Sequence, residues 1–217
     1  MATEFCITAI TPGAKLGDKT TRAGKTWASI LECIAKQPGY QRIYWGYEVE
    51  HENNVDLLVD WDSVDAHKRF MASPEYGPFG GEFGSIMGGP VHVHHRNMQP
   101  HPPIAPFSAP VTELCTFFLA PDISPEAQKK YEAEMKSFAE VIEKHAKGCK
   151  GTSMGWVMEQ MSHGNLGKTK AHTLAVGWES VEAHMAYRET KEFQDSIKPV
   201  RELVKGAEVH HVKLQSF

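Results

Sequence analysis

Histidine carries most of the chemistry this chain could perform: 12 of its 217 residues are His. Two patches concentrate it, His92-Val93-His94-His95-Arg96 and Val209-His210-His211-Val212-Lys213. Imidazole changes charge near neutral pH, so each patch is a candidate general base. Strand alternation puts His92, His94 and Arg96 on one face and His95 on the other. At an offset of 211 − 94 = 117, His94 matches His211 and Arg96 matches Lys213. A His beside a permanent cation stays neutral more easily, and the cation can stabilise an enolate. His92 and His94 are spaced to share a metal ion, but no carboxylate or cysteine completes a site, so no metal is expected. A polar exposed sheet edge would produce the same pattern.

His67 and His184 form a second pair, each on the apolar face of a helix and directed at the sheet. They are candidate bases, or buried histidines bonded to a strand carbonyl. Tyr76 and Tyr187, together with Arg96 and Lys213, are candidate stabilisers of an anion formed on a substrate. Trp45, Trp61, Trp156 and Trp178, with Tyr44 and Tyr47, could stack on a flat ligand; such residues also serve simply as core.

The elements that must position these groups occur twice. Thr3-Glu4-Phe5-Cys6 returns as Thr112-Glu113-Leu114-Cys115, an offset of 112 − 3 = 109. Trp61-Asp62-Ser63-Val64-Asp65-Ala66-His67 returns as Trp178-Glu179-Ser180-Val181-Glu182-Ala183-His184, now at 178 − 61 = 117, with only Asp/Glu exchanges. The eight added residues fall around Ser162–Lys168, a turn-rich stretch that lengthens a hairpin. The repeats are read as residues 1–98 and 111–217, joined by a Pro-rich, stiff linker over 99–110.

Within each repeat, alternating strands flank helices marked by apolar spacing of three and four, as in Trp27, Ile30, Leu31 and Ile34. Ser63 and Ser124 sit at helix N-caps, and Pro125 at a first helical position. Gly77–Pro90, with six glycines, reads as a mobile loop beside a site. The order is βαββαβ twice, an α+β class of two ferredoxin-like repeats. One four-stranded sheet with helices on one face leaves its other face bare, so two repeats packed as an intramolecular barrel would bury both.

The Trp-acid-Ser-x-acid helix start, running on through Ser73-Pro74-Glu75-Tyr76 in the first copy, resembles the dimeric α+β barrel proteins, which include antibiotic-biosynthesis-type monooxygenases and stress-responsive barrel proteins. The resemblance covers nearly the whole chain, once per half. It implies a cofactor-independent tailoring enzyme, of monooxygenase, cyclase or isomerase type, acting on an aromatic or polyketide-like small molecule. It equally allows a non-catalytic small-molecule-binding barrel, or a haem-binding member with a His axial ligand. The Tyr of the plant polyketide cyclase of this fold falls on Phe70 and Tyr187, and its His on Tyr76 and Phe193. Neither copy keeps both, so that mechanism does not carry over intact.

Bulk properties narrow the partners. A net charge of −4 and a pI near 6.3 supply no basic excess for nucleic acid. No run of about 18 apolar residues or leader-like start is visible, so a cytoplasmic protein is expected, as a monomeric pseudo-dimer or a homodimer. Cys6, Cys33, Cys115 and Cys149 form no C-x-x-C pair and are read as reduced thiols.

Overall fold

The computed structural model describes all 217 residues. They form two compact units, residues 1–96 with 215–217, and residues 97–214. The first runs β1 (Ala2–Ile10), α1 (Arg22–Ala35), β2 (Tyr40–Tyr47), β3 (Asn54–Trp61), α2 (Val64–Met71), α3 (Tyr76–Gly84) and β4 (Met87–Arg96). A short helix, α4 (Ile104–Phe107), opens the second. Then come β5 (Val111–Leu119), α5 (Pro125–His145), β6 (Cys149–Trp156), β7 (Met161–Ser162), β8 (Lys168–Trp178), α6 (Val181–Arg188), α7 (Lys191–Leu203) and β9 (Gly206–Val212). A last strand, β10 (Gln215–Ser216), pairs with β2.

Both sheets are antiparallel, in the orders β10-β2-β3-β1-β4 and β6-β8-β5-β9. Each is the ferredoxin-like arrangement, with the unit's first strand between its third and last. The Pro-rich segment packs inside the second unit rather than standing clear of it. Gln99 exchanges backbone hydrogen bonds with Met154, and Ser153 Oγ donates to the Pro100 carbonyl at 2.9 Å. The Gly-rich stretch is ordered as α3 running into β4, and is not a loop. Phe83 packs beside Trp27, and Phe79 against Phe70, so aromatic burial outweighs the helix cost of the exposed glycines.

Each sheet carries its helices on one face. On that side Cys6, Leu57, Val59 and Trp61 meet Trp27, Ile30, Leu31 and Ile34 of α1. Cys115, Leu174, Val176 and Trp178 meet Tyr131, Met135, Phe138 and Ile142 of α5. Full burial of each large apolar side chain contributes about 2–3 kcal/mol. The opposite faces are buried too, through Phe5 and Leu58 in one unit and Leu114 and Ala175 in the other.

The helices that bear His67 and His184 start identically. Ser63 Oγ accepts from the Ala66 amide and Ser180 Oγ from the Ala183 amide, both at 3.2 Å, and Asp65 or Glu182 lies in the first turn. Each start is locked to the preceding turn by a glycine with positive φ, Gly39 (+90°) or Gly148 (+86°), whose carbonyl accepts from Asp62 or Glu179 at 2.8 Å. A Cβ on Gly39 would stand 2.6 Å from the Ala66 Cβ, and one on Gly148 3.0 Å from the Ala183 Cβ. No helix is long and apolar enough to cross a membrane.

Candidate functional site

The last strands fix which histidines meet. β1 pairs Glu4 with His95, and β5 pairs Glu113 with His211. The repeat offset there is therefore 211 − 95 = 116, one residue less than at the helices. A one-residue shift exchanges the faces of a strand. His95, not His94, is the counterpart of His211, and Arg96 answers to Val212 rather than Lys213.

Four side chains converge in each unit, on the helix side of the sheet. In the first, Trp61 Nε1 donates to Glu4 Oε2 at 2.7 Å, and His67 Nδ1 shares a hydrogen bond with His95 Nε2 at 2.9 Å. His67 Nδ1 also stands 3.5 Å from Glu4 Oε2, and the imidazole stacks on Trp61 with ring centres 5.3 Å apart. In the second, Trp178 Nε1 donates to Glu113 Oε2 at 2.9 Å, and His184 Nδ1 shares a hydrogen bond with His211 Nε2 at 2.8 Å. His184 Nε2 is 3.4 Å from Glu113 Oε1, and its ring stacks on Trp178 at 5.0 Å. All eight side chains are buried. A hydrogen bond between two imidazoles needs one donor and one acceptor, so each pair shares its protons and does not carry two full charges.

Each quartet borders a cavity. The one in the second unit encloses about 370 Å3, with Glu113, His184, Tyr187 and Trp178 on its wall among Phe117, Phe138, Phe193 and Ile197. The one in the first encloses about 190 Å3, walled by Glu4, His67, Trp61 and Tyr76 with Phe70, Phe79 and Phe83. In both, the helix histidine faces the space while its strand partner stands behind.

Other expected residues lie elsewhere. His94 and Arg96 point away from the helices, and Arg96 is buried with its guanidinium 3.7 Å over the Phe5 ring. Lys213 is exposed beyond the end of β9. Trp45 packs edge-on against Trp27 and Tyr47 in the core. Trp156 donates to Glu132 Oε1 at 2.8 Å beside Tyr131 and His172. None of these five reaches the quartets. Tyr76 packs edge-on against Phe70, and burial raises its phenol above the ordinary value.

The acid of each quartet is absent from the candidates read from sequence, although Thr-Glu-x-Cys repeated in two apolar strands marked it. A carboxylate has no reason to lie in such a strand unless something meets it. Burial, then the neighbouring Glu113 charge, holds the Cys115 thiol well above its ordinary range, so it stays a neutral wall residue. Tyr187 is buried, and its hydroxyl makes no hydrogen bond of ordinary geometry, since the nearby Ser196 hydroxyl is turned to the Glu192 and Phe193 carbonyls. Burial raises this phenol too. His184, Tyr187 and Trp178 thus border one space, with the Tyr187 hydroxyl oxygen itself buried.

No protein-family model matches the chain, and no curated protein does. Solved structures match over its whole length. An anthrone oxidase-like protein aligns with a TM-score of 0.69 at 14% identity, covering 99% of this chain and 92% of that one. A candidate monooxygenase from Fusobacterium nucleatum gives 0.61 at 13%, covering 99% and 93%. A candidate chlorite dismutase gives 0.59 at 12%, covering 99% and 96%. One fold carries all these activity names, so the likeness speaks to architecture. The chain shares the α+β fold of these structures, with two ferredoxin-like units in a single chain.

Proposed function

We propose that the second unit is a cofactor-independent oxygenase site for a hydroxylated aromatic or polyketide-like small molecule. The observation that carries this reading is the cavity of about 370 Å3 bordered by Glu113, His184 and Tyr187. With Nδ1 donating to His211, His184 holds its Nε2 lone pair beside Glu113 at the cavity wall. Proton uptake there makes an imidazolium stabilised by Glu113, 3.4 Å away. His211 is a positioning residue that fixes the ring and its tautomer. Tyr187 donates to the oxygen on which negative charge develops, and Trp178 supports the ring system.

The name of the anthrone oxidase-like neighbour supplies a concrete substrate type. Loss of one proton from an anthrone CH2 gives a carbanion delocalised onto the ring oxygen. That electron-rich species reduces dioxygen, the second substrate, and a C–O bond forms at the same carbon. Loss of the second proton and cleavage of the O–O bond leave a carbonyl and release one water. The apolar wall keeps solvent from reprotonating the carbanion.

Oxygen uptake with anthrone as the probe tests this. Uptake is expected from the whole chain, with a fall of about 10²–10⁴-fold in His184→Ala, the range general-base catalysis supplies. Absence of uptake with anthrone and hydroxynaphthalenes, or uptake indifferent to His184→Ala and Tyr187→Phe, would overturn the reading.

A further inference from the structure

Three cations border the second unit's cavity, Arg188 half-buried and Arg201 and Lys205 exposed, on a wall that also holds Glu113 and His184. None has a carboxylate within ion-pair distance. Arg188 reaches only the Met185 sulfur, at 3.8 Å, and Arg201 lies 5.9 Å over the Phe193 ring. This clustering occurs in a chain whose net charge is −4.

The simplest alternative is helix-end electrostatics, since Arg188 and Arg201 stand in the last turns of α6 and α7. The first unit shows how that need is met without a cavity. α2 carries Lys68 and Arg69 in its last turn, both exposed, and neither lines the space beside His67. At the place of Arg188 the first unit has Met71, at 188 − 117 = 71, and no cation borders its cavity. The fold and the buried quartet therefore form without these charges. Lys205 directly follows the C-cap residue Val204 of α7, just before β9.

We infer that the second unit's cavity takes a planar aromatic carboxylic acid, its carboxylate held by Arg188, Arg201 and Lys205 and its ring system against Trp178. This rests on the reading that the cavity is the working site and adds the substrate's charge. Arg188, half-buried against the apolar wall, interacts with an anion more strongly than a cation in open water does, and the exposed Arg201 and Lys205 add screened attraction at the mouth. Two guanidinium groups suit the two oxygens of a carboxylate.

Calorimetric titration with 3-hydroxy-2-naphthoate and its neutral amide, 3-hydroxy-2-naphthamide, separates charge from shape. The acid is expected to bind about tenfold more tightly or better, with the preference weakened by added salt. Arg188→Met combined with Arg201→Gln should shrink the preference to about threefold or less, while Arg188→Lys keeps most of it. Equal binding of acid and amide, a preference that survives the double variant, or no binding of either ligand would overturn the inference. Anthrone carries no carboxylate, so the two ideas fail separately. Anthrone oxidation without acid preference sinks this inference and leaves the oxygenase reading standing. Acid preference without oxygen uptake by any probe does the reverse.

Discussion

Beside His67 the first unit places Phe70 and Met71, and beside His184 the second places Tyr187 and Arg188. The four-residue constellation of Glu, Trp and two His is common to both, so it belongs to the repeat itself. What differs is the wall. The first cavity is narrowed by the aromatic row Tyr76, Phe79 and Phe83, and no cation lines it. The second is about twice as large, and adds a buried hydroxyl and three unpaired cations. A duplicated chain can keep the stabilising half of a site in both copies while one copy alone acquires the groups that recognise a ligand.

The sharpest way to break this comparison is to remove the helix histidine from each unit in turn. His184→Ala should abolish most oxygen uptake, about 10²–10⁴-fold. His67→Ala should leave kcat within about threefold, provided circular dichroism shows both variants folded. Equal losses would mean that the cavities are equivalent and that the wall residues do not matter.

His172 offers a second contrast, because the first unit has Val55 at its place (172 − 117 = 55). Burial among Tyr131 and Trp156 lowers the His172 pKa to about 4, against the partial opposition of Glu132. The folded state therefore prefers the neutral ring. Its stabilisation is fully present above the unfolded pKa near 6.5 and is lost as pH falls through 4. Over that window the loss amounts to about 3 kcal/mol. Urea midpoints of His172→Val should lack this component of the acid slope. An unchanged slope would show that other groups carry the acid sensitivity.

The turn glycines sharpen the comparison of the two scaffolds. Gly39→Ala and Gly148→Ala each force a positive φ on alanine, about 1–2 kcal/mol. The tighter approach, 2.6 Å to Ala66 against 3.0 Å to Ala183, should make Gly39→Ala the costlier by urea denaturation. The reverse order would mean that Ala66 yields more readily than its counterpart.

The architecture was legible because it rests on local rules that repeat: a Ser N-cap with an acid after it, an apolar stripe along α1, and alternation in the strands. The quartet was only half legible. His67, His184 and His211 could be picked out, since imidazole in apolar settings draws attention, and Trp61 and Trp178 repeat beside them. His95 was missed for a geometric reason. The repeats lose one residue between the second helix of each copy and the last strand, and matching His94 to His211 places the wrong face toward the helices. Glu4 and Glu113 were visible as a repeated motif, but their partners lie 57 and 65 residues away, a distance that spacing alone does not bridge. Arg188 and Arg201 gained meaning only when two helix ends were seen to border one space.

The smallest effect separates a scaffold role from a working one at Tyr187. In the first unit the same position is Phe70, which fits the same packing without a hydroxyl. An unsatisfied buried hydroxyl costs about 1–3 kcal/mol, so Tyr187→Phe should raise stability by about 1 kcal/mol once the lost contacts are allowed for. If the hydroxyl is kept for a ligand, the same substitution should lower oxygen uptake and weaken the binding of hydroxylated aromatics while the protein melts at a higher temperature. The two readouts then move in opposite directions, which neither a packing role nor a folding defect produces. A variant that gained stability and kept full activity would make Tyr187 a relic of packing. One that lost both would make its hydroxyl part of the scaffold, and the contrast with Phe70 would no longer mark the second cavity as the site of chemistry.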